Sequence, residues 1–218
     1  KDEIKEIKLF LKQLAGGDNA DPEVLTAFDD KFTKLIELIQ TATEGTNRIK
    51  IIVEDLRTFA RLDDAKKATV QLSSLLTSTT HLVRTQYDRL EIETQLNVDP
   101  EITCFPSKLN QVFMNIIVNA CQAIVTKQEN DKNFTGRIII TTSEQDNQLV
   151  VMFKDNGCGM DEATQQRVFE PFYTTKDVGT GTGLGMAISF GIIEEHSGLI
   201  AINSVKDKGS EITIRLPY

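Results

Sequence analysis

Residues 155–159 read Asp155-Asn156-Gly157-Cys158-Gly159, and residues 179–185 read Gly179-Thr180-Gly181-Thr182-Gly183-Leu184-Gly185. Between them runs Phe169-Glu170-Pro171-Phe172-Tyr173-Thr174-Thr175-Lys176. Glycine costs a folded chain backbone entropy, so two such clusters need a reason. The usual one is close approach of backbone to a ligand, because bare N–H groups in glycine-rich loops suit phosphate oxygens. The carboxylate of Asp155 adds a second requirement, a donor group on the ligand. Together they point to a nucleotide whose base meets Asp155 and whose phosphates meet the second cluster.

The surrounding sequence is mixed α and β. Alternating apolar residues predict strands at 90–96, 102–105, 136–143 and 149–154, the last delivering Asp155 at its end. Two more close the chain at 199–204 and 211–216. Helical spacing predicts helices at 72–87 and 107–127, the second carrying Val112, Phe113, Ile116, Ile117, Ala120 and Ile124. A third helix, Gly185–Glu195, opens directly from the second glycine cluster.

Residues 1–66 have a different pattern: helix, turn, helix. Ile4, Ile7, Phe10, Leu11 and Leu14 form an apolar stripe that ends at Gly16-Gly17-Asp18-Asn19. Asp21-Pro22-Glu23 restarts a helix with an N-cap carboxylate, a proline at the first helical position and an acid in the first turn. Its stripe runs through Leu35, Ile36 and Ile39, weakens across Thr41–Thr46 with an interruption expected at Gly45, and resumes to Phe59. This second arm spans roughly 60 Å and the first roughly 20 Å at 1.5 Å per residue. So long an apolar stripe needs more helix to cover it. The first arm is expected to continue before Lys1, and two hairpins to pair into a four-helix bundle. The charged run Leu62-Asp63-Asp64-Ala65-Lys66-Lys67 marks the junction, giving domains 1–66 and 67–218.

Bulk composition narrows the function classes. The 218 residues carry a net charge of −8, with 40% hydrophobic and 26% charged residues. That is globular composition, and its acidity argues against nucleic-acid partners. Cys104, Cys121 and Cys158 are odd in number and lack a CxxC pair, which fits a reducing compartment and neither a disulfide framework nor a zinc site. No membrane contact is expected within the chain. It begins with Lys1 and not Met, so a longer protein is expected, cytoplasmic or the cytoplasmic part of a membrane sensor.

Competing phosphate-binding patterns fail. GxxxxGK followed by Ser or Thr is absent, the glycines come too late for a dinucleotide fingerprint, and neither an HRD loop nor a DFG triplet occurs. What remains is Asn115-Ile116-Ile117-Val118-Asn119-Ala120, then Asp155-x-Gly157-x-Gly159, then Phe169-Glu170-Pro171-Phe172, then Gly181-x-Gly183-x-Gly185. That order resembles the N, G1, F and G2 boxes of sensor histidine kinases. The segment 47–61 is similar to the second dimerisation helix of the nitrogen-regulation-like subgroup.

The resemblance implies an α+β fold: an antiparallel helical hairpin, then an α/β two-layer sandwich of the type shared by gyrase, heat-shock chaperones, histidine kinases and MutL. It implies ATP and Mg²⁺ as cofactors, a response-regulator receiver domain as partner and a homodimer through the hairpin. It assigns Asn119 to the metal, where a neutral amide oxygen suits Mg²⁺, and Asn115 to a phosphate. Asp155 would accept from the exocyclic amine of adenine, at the position where guanine presents an acceptor. The backbone of Gly181, Thr182, Gly183, Leu184 and Gly185 would form a lid over the phosphates, with Gly157 and Gly159 shaping the base pocket. Tyr173 and Lys176 would contact ribose or phosphate, and Thr213 would approach adenine.

Relatives of this fold that hydrolyse ATP carry glutamate where Asn115 stands. An amide has no basic lone pair to activate water, so Asn115 favours phosphoryl transfer. The family's nucleophile is a histidine followed by an acid; His81 and His196, the 2 histidines, lack that context. The family's acceptor packs across from the segment 48–61, which lies about 30 residues past the turn near Asp18, so it is expected before residue 1. Two alternatives stand beside a histidine kinase: a scaffold without the acceptor, and a protein-serine kinase of the anti-sigma type.

Overall fold

The computed structural model describes residues 22–61, 66–87, 90–176 and 181–217. It divides into two compact units, Lys1–Ile51 and Ile52–Tyr218. The expected first helix, its turn at 16–19, the Asp21 cap and residues 62–65 of the junction lie outside the described residues, as do Gly179 and Thr180.

Helix α1, Pro22–Arg61, is a single helix of 40 residues with Glu23 in its first turn. The interruption expected at Gly45 does not occur. The hydroxyls of Thr33, Thr41, Thr43 and Thr46 donate to the carbonyls of Asp29, Glu37, Ile39 and Ala42. These polar side chains are thus satisfied within the helix itself. A glycine costs about 1 kcal/mol relative to alanine, too little to break a helix of this length. Leu35, Leu38, Ile39 and Ile49 are exposed along it.

The second unit continues with β1 (Ala68–Gln71), α2 (Leu72–Gln86), β2 (Glu91–Leu96), β3 (Glu101–Cys104) and α3 (Pro106–Asn130). Then come β4 (Arg137–Gln145), β5 (Gln148–Asp155), α4 (Glu162–Arg167), α5 (Gly185–Glu195), β6 (Leu199–Val205) and β7 (Gly209–Pro217). Five strands form one sheet in the order β2-β4-β5-β7-β6. β2 and β4 are parallel, and the other neighbours antiparallel. β1 and β3 make a separate antiparallel pair.

Side-chain alternation sets the second layer. Ile138 and Ile140 of β4, Leu149, Val151 and Phe153 of β5, and Ile212, Ile214 and Leu216 of β7 are buried together with the apolar face of α3. Phe113 of α3 meets Phe153 with ring centroids 5.7 Å apart. α3 is long and apolar enough by composition to cross a membrane, but here it is the core helix of the sandwich. The β4–β5 turn uses Asp146 (φ 52°) and Asn147 (φ 58°), the left-handed pair that a tight hairpin requires. α2 has no capping side chain of its own; Asp99, from the β2–β3 connection, accepts from the Ser73 N–H at 2.8 Å instead.

His196 at the end of α5 is structural. Its Nδ1 lies 2.7 Å from the Ile192 carbonyl, and its Nε2 accepts from the Phe105 N–H at 3.1 Å. His81 lies exposed on α2.

Candidate functional site

Asp155 sits at the end of β5, where the ladder to β4 finishes opposite Ile138. Its Oδ1 accepts from the Gly157 N–H at 2.8 Å. Burial pushes this carboxyl above its ordinary value, while the backbone N–H groups of Gly157 and Ser210 and the nearby Lys127 ammonium pull it back. Close approach explains the first glycine. A Cβ on Gly157 would stand 2.8 Å from the Ala123 backbone and 2.9 Å from Asp155 Oδ1. Gly159 faces the β6–β7 turn, where a Cβ would lie 2.1 Å from the Val205 carbonyl oxygen.

One polar face of α3 lies beside this loop. Asn115 Nδ2 donates to the Gly185 carbonyl at 3.0 Å and to Ser189 Oγ at 3.2 Å. Both amide hydrogens are thereby committed to α5, so in this conformation Asn115 has no free donor for a phosphate. It instead ties the start of α5 to α3. One turn further on, Asn119 Oδ1 accepts from Lys176 Nζ at 2.9 Å, and Gln122 Oε1 accepts from the same ammonium. Burial pushes Lys176 below the ordinary lysine value. The two neutral oxygens of Asn119 and Gln122 already form a seat for a cation.

The segment between the glycine clusters folds back on the second cluster. Phe172, in left-handed backbone (φ 66°), donates its N–H to the Gly183 carbonyl at 3.0 Å. Gly183 has φ +69° and leaves no room for a Cβ, which would stand 2.4 Å from the Phe172 carbonyl carbon. Gly181 lies against Thr174 and Lys176, Thr182 Oγ1 accepts from the Leu184 N–H at 3.3 Å, and Leu184 packs partly buried on the core.

Residues 105–218, more than half of the chain, match the family of histidine kinase-, DNA gyrase B-, and HSP90-like ATPases. The chain belongs to this family. Among individual relatives, it is 32% identical over 185 residues to the signal transduction histidine-protein kinase AtoS of Escherichia coli, covering 83% of the chain and 29% of AtoS. It is 34% identical over 179 residues to sporulation kinase E of Bacillus subtilis, covering 80% of the chain and 23% of that kinase. It thus spans less than a third of either relative. The fold is shared with the mycobacterial sensor histidine kinase MprB (TM-score 0.60, 21% identity, 70% of this chain and 97% of that one). It is also shared with the catalytic domain of histidine kinase ThkA (TM-score 0.60, 24% identity, 70% and 95%).

Within this ATP-binding domain, the side chains of Thr213 and Tyr173 point away from Asp155 and the second glycine cluster, although the Tyr173 carbonyl lies against Gly183. Thr213 stands opposite Met152 on β7, on the sheet face away from buried Ile212 and Ile214. The residue of β7 that reaches Asp155 is Ser210, through its backbone. Tyr173 turns toward α4: the Arg167 guanidinium lies 4.2 Å over its ring, and its hydroxyl is 3.4 Å from Thr164 Oγ1. Lys176, Asn119 and the second glycine cluster do share one neighbourhood, and Gln122 joins them unannounced. Gln122 lies one turn from Asn119 on the same helix face, so helical periodicity alone could have nominated it.

Proposed function

We propose that this chain is the dimerisation and ATP-binding core of a two-component sensor kinase. It transfers the γ-phosphoryl group of MgATP to a histidine, from which it passes to an aspartate of a response-regulator receiver domain. The observation that carries this is Asn115. At the position where hydrolysing relatives hold a glutamate base, this domain holds an amide whose hydrogens are bonded to Gly185 and Ser189. An amide takes no proton from water, so at this position bound ATP is kept for another nucleophile.

In this reading Asp155 accepts from the adenine amine and excludes guanine, and the backbone at 181–185 with the start of α5 receives the phosphates. Mg²⁺ fits the seat on Asn119, whose oxygen already holds the Lys176 ammonium. A metal held there would supply neutralisation of phosphate charge. With the metal on Asn119, the Lys176 ammonium would be released from that oxygen and free to pair with a phosphate. Residues 1–66 form the dimerisation domain and 67–218 the catalytic domain. Exposed Leu35, Leu38, Ile39 and Ile49 on α1 support a homodimer through the helices. The domain works on the cytoplasmic side.

In this reading the acceptor is neither histidine of these residues; His196 is bonded through both ring nitrogens and His81 lacks an acidic neighbour, which supports it. Labelled ATP tests this. The 218-residue chain should bind ATP and take up no phosphate, while a longer form with the preceding helix should take up acid-labile phosphate. Acid-stable phosphate on serine would point to the anti-sigma type of kinase and contradict the reading.

A further inference from the structure

Lys127 lies two helical turns beyond Asn119 on α3, partly buried. Its Nζ donates to the carbonyls of Asn156 at 2.9 Å, Gly157 at 3.2 Å and Asp207 at 2.8 Å. An ammonium has three donors, and here all go to main-chain oxygens. The Phe134 ring covers it at 4.4 Å from its centroid. No carboxylate among the described residues forms an ion pair with it.

The three carbonyls belong to the two segments that flank Asp155. Asn156 and Gly157 follow Asp155, and Gly157 donates to the Asp155 carboxylate. Asp207 is in the β6–β7 turn, which leads into Ser210, and its N–H donates to the Cys158 carbonyl at 2.7 Å. The ammonium therefore pins both walls of the Asp155 carboxylate to one helix. We propose that Lys127 is the positioning residue of base recognition, holding the 156–157 loop and the β6–β7 turn in the arrangement that presents Asp155 to adenine.

This rests on the ATP-site reading of Asp155. Lys127 touches no nucleotide in this account and acts through Asp155 and Gly157. Lys127→Met keeps the aliphatic stem against Phe134 and removes the charge and the donors. Losing charge-assisted hydrogen bonds behind the pocket should weaken ATP binding about tenfold. GTP binding, which does not use the Asp155 contact, should stay within about twofold, so the ATP preference shrinks. A purely structural lysine would lower the melting temperature and leave that preference intact.

A pH profile gives an independent readout. Among the described residues, the titratable groups whose charge acts on Asp155 are the Lys127 ammonium and the Cys121 and Cys158 thiols. Removing the only cation among them should move the acid-side loss of ATP binding to higher pH. The measurements are ATP and GTP dissociation constants by calorimetry on the 218-residue chain. Lys127→Gln, which removes the charge but keeps two of the three donors, should show an intermediate loss and decides the matter if the Met variant does not fold. An unchanged ATP preference in the folded variants overturns the proposal while Asp155→Asn still abolishes it. If Asp155→Asn also leaves ATP binding unchanged, the ATP-site reading itself has failed.

Discussion

Replacing Asp155 with asparagine should weaken ATP binding without weakening the fold. The carboxylate is pushed above its ordinary value mainly by burial, which the Gly157 and Ser210 N–H groups and Lys127 only partly offset. The folded state therefore binds this proton more tightly than the unfolded chain, whose aspartate titrates near 3.8. The stability attached to it is fully present below that value and lost as pH rises through the higher folded value. At neutral pH the ionised group is a net burden on the fold. Asparagine removes the charge and keeps an oxygen for the 2.8 Å bond from Gly157. The melting temperature at pH 7 should match or exceed the wild type. Binding goes the other way: a hydrogen bond to a charged group is worth about 1.5–3 kcal/mol. Its loss weakens ATP affinity by about 10- to 150-fold. Calorimetry with ATP and GTP, alongside thermal melts, measures both effects. A variant that loses several degrees of stability, or binds ATP as the wild type does, would refute the reasoning.

Gly183→Ala should weaken ATP binding several-fold with little change in melting temperature, because strain of about 1–3 kcal/mol falls on the lid and not the core; dissociation constants and limited proteolysis check it. Asn119→Ala should leave metal-free ATP binding nearly unchanged and abolish its enhancement by Mg²⁺, read as the ratio of affinities with Mg²⁺ and with EDTA. His196→Ala leaves the Phe105 N–H unpaired and should cost about 1–3 kcal/mol of stability, seen in denaturant melts, with ATP affinity unchanged.

The sandwich was largely legible because its elements obey simple periods. The helix predicted at 107–127 is α3 at Pro106–Asn130, and Gly185–Glu195 carries the predicted bounds. β1 was not foreseen, since Ala68–Gln71 has one partly buried residue and pairs with a strand 30 to 36 positions on. α4 was missed for the opposite reason. It buries nothing, although Asp161 caps it by accepting from the Thr164 N–H, a signal present in the sequence. The placement of Thr213 follows from parity. In Ile212-Thr213-Ile214 the alternation itself turns threonine away from the core layer, and only the register with β5 reveals that Ser210 is the residue level with Asp155. Lys127 was out of reach, because its acceptors come from loops 29, 30 and 80 positions away.

The most direct test of the account is a crystal structure of this chain with Mg²⁺ and a non-hydrolysable ATP analogue. The account predicts the adenine amine within hydrogen-bond distance of Asp155, the metal on Asn119 Oδ1, and the Lys176 ammonium moved from Asn119 to a phosphate oxygen. A nucleotide bound elsewhere, or Lys176 still seated on Asn119 and Gln122 beneath it, would contradict the account.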